Sequence, residues 1–159
     1  MKKKISLLMI DDHPFILEAY KNTLNGFKND KYEIVCTEAE NAKMGYEMIM
    51  DSNNSYNVAF LDISIPPYPE KNIASGEDLA KLVREKMPNC MIFLLTMHTE
   101  KLKTSNIYNE VNPEALIIKN DLTFEELISA FDQVINGGRY LSKSVVKMFE
   151  ENNNDSTNN

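Results

Sequence analysis

The sequence has few cysteines and histidines, which limits the metal sites it can form. Its 159 residues include two cysteines and two histidines, and these lie singly along the chain as Cys36, Cys90, His13 and His98. Because structural zinc sites need several ligands at short, characteristic spacings, we expect no such site. Each cysteine lies in or beside an apolar run, where a free cysteine typically behaves as a small buried hydrophobe.

Long apolar runs are also missing from the sequence. No run approaches the roughly 18 residues that a transmembrane helix needs, so we expect no membrane-spanning segment and no membrane partner. Three N-terminal lysines precede the apolar residues 5–10, but Asp11 and Asp12 end this stretch before it reaches the length of a signal peptide. The sequence therefore predicts a cytoplasmic protein.

The chain has fewer positively charged than negatively charged residues. The chain has 17 Lys and Arg residues against 24 Asp and Glu residues, a formal net charge of -7. Because such a chain repels phosphate backbones, we expect no nucleic acid to be bound by this chain itself. The length and the 43% of hydrophobic residues suit one globular domain, which can bury roughly 70% of the surface of its unfolded chain.

Five short apolar runs predict the strands of a sheet. They lie at residues 5–10, 32–36, 58–61, 90–95 and 115–118. Four of the runs are nearly continuous in apolar residues, which is typical of parallel strands covered by helices on both faces. The second run contains Glu33, so we place it at an edge of the sheet.

Five helical patterns follow the apolar runs. The first pattern begins at Pro14 and stops at Gly26, and the second covers residues 42–50 after Asn41. The third begins at Ser75 and stops before Pro88, a weak fourth follows Thr99, and the fifth begins at Thr123 and stops at Gly137. This fivefold alternation of strand and helix indicates an α/β fold with a parallel sheet and right-handed crossovers. Residues 141–151 predict a short C-terminal helix or the start of a linker, and the Asn-rich residues 152–159 predict a disordered tail.

Polar residues follow four of the predicted strands. Ligands bind at the carboxyl ends of the strands in open α/β sheets, so these positions are candidates for the functional site. The residues there are Asp11 and Asp12 after the first strand, Asp62 after the third, Thr96 after the fourth and Lys119 after the fifth. One such residue would usually be a turn or a helix cap. Suitable groups at four strand ends at once indicate a site.

The chemistry of these groups favours phosphoryl transfer. Three adjacent carboxylates repel one another unless a cation lies among them, and Mg²⁺ suits oxygen ligands that leave room for water and phosphate. Lys119 and Thr96 could then offset charge on the phosphoryl oxygens and donate a hydrogen bond to one of them. An aspartate is a competent covalent phosphoryl acceptor, and Asp62 is the candidate because it stands alone on the central strand.

Four segments resemble the receiver domain of two-component response regulators. They are LLMIDDHP at residues 7–14, VAFLDISIP at 58–66, FLLTMH at 93–98 and ALIIKND at 115–121, and the resemblance covers residues 3–140. It implies a flavodoxin-like three-layer sandwich with a five-stranded parallel sheet in the order 2-1-3-4-5. The DDHP start and the GGRYLS segment are most like receivers of the NarL/FixJ (LuxR-type) class.

The resemblance also implies a role for each site residue. Asp62 would be the phosphoacceptor, Lys119 would pair with the acyl phosphate, and Thr96 would be the switch hydroxyl. Mg²⁺ would be held by Asp11, Asp12, Asp62 and the backbone carbonyl of Ser64. The implied partner is a sensor histidine kinase or a phosphotransfer protein, with a homodimer as a further expectation. Such a domain supplies catalytic groups for its own phosphorylation and dephosphorylation but is not an enzyme acting on an external substrate.

The class to which the chain is most similar typically precedes a helix-turn-helix DNA-binding domain, which this chain does not contain. We therefore expect either a stand-alone receiver or the N-terminal part of a transcription regulator. Three departures from the family pattern bear on switching: an insertion at residues 67–75, the bulky Met97 after Thr96, and Leu116 in place of the usual aromatic residue.

Two alternatives remain open. A phosphorylation-independent pseudo-receiver, acting as a docking or dimerisation module, would fit the three departures. A Mg²⁺-dependent phosphatase would usually place a second aspartate two residues after the nucleophile, where this chain has Ser64.

Overall fold

The apolar runs form the strands of one parallel sheet in the computed structural model, which describes residues 2–26, 31–104 and 106–157. The strands are β1 (Lys3–Ile10), β2 (Tyr32–Ala39), β3 (Val58–Asp62), β4 (Met91–Thr96), β5 (Ala115–Ile118) and β6 (Tyr140–Leu141). Their order is β2-β1-β3-β4-β5-β6. The predicted flavodoxin-like order 2-1-3-4-5 is thus confirmed, and the mixed strand β2 lies at an edge as expected.

The helices are α1 (Pro14–Asn25), α2 (Ala42–Met50), α3 (Gly76–Lys86), α4 (Thr99–Thr104), α5 (Ile107–Glu110), α6 (Phe124–Ile135) and α7 (Lys143–Thr157). The predicted caps are present at three of them, since the side chains of Asn41, Ser75 and Thr123 accept hydrogen bonds from the first turns of α2, α3 and α6. The weak pattern after Thr99 forms two short helices, α4 and α5, instead of one.

The expected count of five strands is wrong, because the described residues include a sixth. Tyr140 and Leu141 pair in parallel with Ala115 and Leu116. Gly137, with a φ of 96°, lies in the turn that follows α6 and allows the chain to return to the edge of β5. Two residues are too short a segment for an apolar pattern to reveal a strand.

The C-terminal segment also differs from the expectation. The helix α7 continues to Thr157, whereas the Asn-rich residues from 152 onward were expected to be disordered. Residues 158 and 159 of that expected tail lie outside the described part of the chain. On its buried side, α7 contributes Val145 and Met148 to the core.

Two apolar layers hold the helices against the sheet. On one face, Leu17 of α1 and Phe131 of α6 pack against Phe60 and Phe93 of the central strands, whose rings lie 4.6 Å apart between centroids. The opposite face packs against α2, α3, α4, α5 and α7, with Leu79, Leu102 and Met148 among the buried residues. Both faces of the sheet are therefore covered, and the carboxyl ends of its strands form one open rim.

Candidate functional site

The rim at the carboxyl ends of the strands contains most of the buried polar side chains of the described chain. Asp62 and Thr96 are the last residues of β3 and β4, and Asp11 and Lys119 directly follow β1 and β5. Counted with their backbone atoms, the residues are exposed to 2% for Asp11 and Asp62, 0% for Thr96 and 9% for Lys119. Because charged groups are rarely buried without partners, their burial here indicates a built site.

Lys119 connects two of the carboxylates. Its Nζ atom lies 2.6 Å from Asp11 Oδ2 and 3.2 Å from Asp62 Oδ2. The three side chains are each at most 5% exposed, so their charges interact with little screening by water. The ammonium group thereby offsets part of the repulsion between the two carboxylates.

Asp62 is held in one orientation by hydrogen bonds to both of its oxygens. Its Oδ1 accepts a hydrogen bond of 3.0 Å from the backbone N–H of Ser64, and its Oδ2 faces Lys119. Burial raises the pKa of this carboxyl above its ordinary value, and the hydrogen bond from Ser64 and the charge of Lys119 offset this only in part. A carboxylate whose hydration is reduced is available for reaction at the rim.

Asp11, Asp12, His13 and Asp62 form an acidic cluster, in which one ligand atom from each residue lies within 4.8 Å of the others. Asp12 Oδ1 is buried and makes no hydrogen bond to the described residues, but it lies 3.1 Å from His13 Nδ1. Three carboxylates this close together are the oxygen donors that a hard divalent cation takes. The three predicted aspartates are therefore brought together and fit a metal site.

His13 also joins this cluster. It occupies the N-cap position of α1. Its backbone N–H donates to Asp11 Oδ1 at 2.9 Å, and its Nδ1 lies 2.8 Å from the same oxygen. The hydrogen bond to Asp11, followed by the charge of Asp12, raises the pKa of His13 despite the opposing effect of burial. His13 thus occupies one Asp11 oxygen while Lys119 occupies the other.

Thr96 and Ser64 lie at the same rim. The Thr96 hydroxyl accepts a 3.3 Å hydrogen bond from the backbone N–H of His98, which directs the chain into α4. Ser64 Oγ accepts a 2.8 Å hydrogen bond from Lys101 Nζ, so an α4 residue reaches the loop after Asp62. Sequence reasoning missed Lys101, because nothing in the weak pattern of α4 marks it. The use of the Ser64 carbonyl as a metal ligand stays a prediction.

The residues that depart from the family pattern lie on three sides of the site. Met97 is 42% exposed and lines a cleft of about 560 Å³ between α1 and α6, together with Lys119 and Phe124. Leu116 is buried with Leu102 of α4 and Met148 of α7. At the position where receivers usually carry an aromatic ring, this chain therefore has a small side chain packed into the core.

The inserted loop at residues 67–75 is a folded element. A one-turn 3-10 helix, Pro69–Lys71, is closed by an antiparallel bridge between Tyr68 and Ile73. The ring of Tyr68 packs edge-on against Tyr46 of α2, with centroids 5.9 Å apart. At the other end, the backbone N–H of Ala74 donates to Asp78 Oδ2, one residue before the donor that a standard capping box uses.

The fold and the position of the acidic groups define a flavodoxin-like domain with a site at the carboxyl ends of its strands. Residues 7–132 match the response regulator receiver domain, and the chain belongs to this family. The resemblance seen in the sequence is thus confirmed. Receiver domains are signalling domains that work with histidine kinases and typically bind Mg²⁺ at an acidic pocket, and this chain has an acidic cluster of Asp11, Asp12 and Asp62.

A curated relative is the transcriptional regulatory protein MctR of Rhizobium johnstonii. It is 31% identical over 144 residues, which are 91% of this chain and 61% of the relative. The chain thus spans about three fifths of the length of the relative it matches.

Solved receiver structures share the fold. The isolated REC domain of RcsB from Salmonella enterica serovar Typhimurium, in the presence of the phosphomimetic BeF3-, has a TM-score of 0.72 at 20% identity, covering 91% of this chain and 98% of that one. A LuxR-family response regulator from Aurantimonas sp. SI85-9A1 has a TM-score of 0.71 at 18% identity, with coverages of 95% and 99%. No helix among the described residues is long and apolar enough to span a membrane.

Proposed function

We propose that this receiver domain accepts a phosphoryl group on Asp62 from a partner histidine kinase or phosphotransfer protein and acts as a phosphorylation-dependent switch. The observation that carries the proposal is the position of Asp62. Its carboxylate lies between the ammonium group of Lys119 and the backbone N–H of Ser64, beside the acidic pair Asp11 and Asp12. One carboxylate oxygen can attack phosphorus while the charge of Lys119 stabilises the transition state.

In the proposed step, an oxygen of Asp62 forms a bond to phosphorus as the P–N bond of the donor phosphohistidine breaks. The electron pair of that bond stays on the departing imidazole. Lys119 offsets negative charge on the phosphoryl oxygens, as lysines do in phosphoryl-transfer sites. The N–H of Ser64 holds the carboxylate in the orientation needed for in-line attack.

Asp11, Asp12, Asp62 and the backbone carbonyl of Ser64 would hold Mg²⁺. When bound, the ion supplies charge neutralisation at the phosphoryl oxygens. The close approach of the carboxylates of Asp11, Asp12 and Asp62 supports this assignment. The carboxylate of Asp11, already engaged by His13 and Lys119, keeps these two side chains close to the reacting group.

A phosphoryl group adds a charge of about -1.5 to -2 at the rim, which would bias an existing equilibrium of the domain. Thr96 is the proposed switch residue, because its hydroxyl is at the end of β4 and contacts the segment that enters α4. Leu116 lacks the aromatic ring through which receivers usually transmit this change, so we expect transmission through Thr96 to be weaker.

The protein phosphodonor is proposed to dock beside the cleft between α1 and α6. Phe124, 69% exposed, and Met97 flank this largely apolar cleft next to Lys119. Exposed apolar patches next to a functional site commonly mark protein interfaces. A homodimer is a second proposed use of the domain surface.

We propose residues 3–140 as the receiver and residues 141–151 as the start of the connection to an output domain. The relative MctR, described as a transcriptional regulatory protein, is longer than the match. The resemblance to the NarL/FixJ (LuxR-type) class supports an N-terminal position within a transcription regulator. The cytoplasmic location stays a prediction from the sequence.

The test is the intact mass of the protein after incubation with Mg²⁺ and acetyl phosphate. We expect a gain of one phosphoryl group, about 80 Da, since Asp62 is the acceptor of the phosphoryl group. Asp62→Asn should show no gain, whereas Asp132→Asn on α6, away from the rim, should behave as wild type. Undiminished label on Asp62→Asn would overturn the assignment.

The pseudo-receiver remains the second candidate, because Leu116 occupies the position at which receivers usually carry an aromatic residue. It is buried together with Leu102 of α4 and Met148 of α7. Thermal unfolding with and without Mg²⁺, read together with the intact mass after incubation with acetyl phosphate, separates the two. A ligand that binds the folded state alone at 100 times its Kd stabilises it by about 2.7 kcal/mol. Stabilisation by Mg²⁺ without any phosphoryl gain would select the docking module.

A further inference from the structure

A cluster of hydrogen bonds joins the turn that carries Lys119 to the start of α7. Ser142 Oγ accepts a hydrogen bond of 2.9 Å from the backbone N–H of Ile118, and it donates one of 2.7 Å to Asp121 Oδ2. Ile118 and Asp121 lie on either side of Lys119 in the sequence. One fully buried hydroxyl therefore bridges the backbone before Lys119 and the side chain after it.

Asp121 also binds α7 directly. Its Oδ2 accepts a 2.8 Å hydrogen bond from the backbone N–H of Ser144, and its Oδ1 accepts a 2.7 Å hydrogen bond from the Ser144 hydroxyl. The carboxylate thus lies at the N-terminus of a 15-residue helix, where negative charge is favoured. Burial alone would raise the pKa of Asp121, but the hydrogen bonds from Ser142 and Ser144 outweigh it and lower the pKa, so the carboxylate stays charged.

The same segment is fixed to β5. The backbone N–H of Ser142 donates to the carbonyl of Leu116, and Val145 and Met148 of α7 lie in the same buried cluster as Leu116. The first residues of α7 and the turn at residues 119–121 therefore form one bonded unit. A displacement of either part must break charge-assisted hydrogen bonds or leave the N–H of Ile118 without its acceptor.

We propose that Asp121 is a positioning residue for Lys119, and that the cluster of Asp121, Ser142 and Ser144 couples phosphorylation of Asp62 to the docking of α7. The inference rests on the proposed function. Lys119 must keep its ammonium group between Asp11 and Asp62, and Asp121 with Ser142 holds the backbone on both sides of it. A phosphoryl group on Asp62 would hold Lys119 more firmly and, through this cluster, hold α7 more firmly.

This proposed route to α7 does not depend on position 116, where receivers usually carry an aromatic residue and this chain has a leucine. Leu116 is buried in the core, and the proposed connection runs from Lys119 through Asp121 to Ser144. Coupling between two sites is reciprocal for equilibrium free energies, so α7 docked in its place would favour the phosphorylated state by the same factor.

The first experiment measures the rate of aspartyl-phosphate formation with Mg²⁺ and acetyl phosphate, by intact mass, in the full chain. Asp121→Asn should lower the rate by about fivefold or more, and Ser144→Ala should lower it in the same direction with Ser142 still in place. Ser129→Ala, an exposed serine on α6, is the matched control and should react as wild type. Thermal unfolding of each variant identifies any loss of folded protein.

The second experiment measures amide hydrogen exchange of residues 143–152 with and without phosphorylation. Phosphorylation should slow this exchange by about fivefold or more in the wild type and in Ser129→Ala, but not in Asp121→Asn. A purely structural role for Asp121 would lower the unfolding temperature and leave the rate per folded molecule and the exchange response unchanged, which would overturn the inference.

The two proposals fail in different ways. If the wild type gains no phosphoryl group, the proposed function fails and this inference fails with it. If the wild type is phosphorylated at Asp62 while Asp121→Asn and Ser144→Ala match it in rate and exchange, the inference alone is overturned. Exchange at α7 that becomes faster on phosphorylation would also overturn it.

Discussion

A Cβ atom added to Gly76 would collide with the backbone carbonyl oxygen of Asp62, because the first residue of α3 packs directly on the end of β3. The backbone N–H of Gly76 also donates a 3.0 Å hydrogen bond to the carbonyl of Ile63. The missing side chain at position 76 therefore lets the inserted loop close against the backbone of Asp62.

Gly76→Ala should consequently destabilise the domain. The added methyl group meets backbone atoms, which cannot rotate away as a side chain can, so we expect a loss of about 1–3 kcal/mol in the free energy of unfolding, measured in urea. Gly26→Ala is the matched control, because its φ is -78° and its nearest contact is 3.4 Å. The control should change stability by less than about 1 kcal/mol. Equal losses in the two variants would contradict the role of Gly76.

Asp62→Asn should raise stability at neutral pH when Mg²⁺ is removed. Burial raises the pKa of Asp62 in the folded state above its ordinary value of 3.8. The folded state therefore binds this proton more tightly than the unfolded state, and stability is lost as the pH rises through the folded-state pKa. Asparagine cannot ionise, so the variant does not lose this stability as the pH rises. Unfolding temperatures in EDTA should differ most near pH 7 and converge below pH 3.8. A wild type more stable than the variant at pH 7 would refute this explanation.

Arg84 should be important for stability far from the site. Its guanidinium group donates to both carboxylate oxygens of Glu114 and to the carbonyl oxygens of Val111 and Asn112. Because Arg84→Met leaves these acceptors without their donor in a half-buried place, we expect a loss of about 2–3 kcal/mol in the free energy of unfolding. Lys81→Met, which removes an exposed ion pair to Glu110, should cost less. Similar losses in both variants would show that the burial of the ion pair between Arg84 and Glu114 adds nothing to the stability of the domain.

Met97→Ala should accelerate phosphorylation by small donors. The Met97 side chain lines the cleft beside Lys119, so we expect it to narrow the approach of a small donor to the proposed acceptor Asp62. We expect the rate with acetyl phosphate to rise several-fold, while the unfolding temperature changes little because Met97 is exposed. Met50→Ala on α2 removes a methionine of similar exposure away from the cleft and should leave the rate unchanged. An unchanged rate in Met97→Ala would show that the bulk at this position does not limit access.

Most of the site could be predicted from the sequence because of how a parallel sheet is built. Apolar runs mark the strands, and all carboxyl ends of parallel strands lie at one edge, so Asp11, Asp62, Thr96 and Lys119 had to be neighbours once the alternation was recognised. Their roles in phosphoryl transfer stay predictions. The positions of the caps Asn41 and Thr123 were also readable, because a cap and its partner lie within one turn of the helix.

The contacts that the sequence did not reveal join residues that are far apart in the chain. Lys101 reaches Ser64 across 37 positions, and Ser142 reaches Ile118 across 24. Neither contact has a local periodicity or spacing. The strand β6 was missed for the same reason, since its two residues are defined by the neighbouring β5 and not by their own pattern.

The short sixth strand also determines how the sheet ends. With β6 alongside β5, the free edge on that side is two residues long, whereas the opposite edge is the eight-residue strand β2. An exposed edge invites pairing with a strand from another chain, and nature limits this with short or charged edge strands. Here one edge is short, and the other carries Glu33 and Glu38. Pairing of the sheet with a second copy of this acidic chain is therefore disfavoured at both edges. At one edge the strand β6 is too short, and at the other the glutamates of β2 repel an acidic partner.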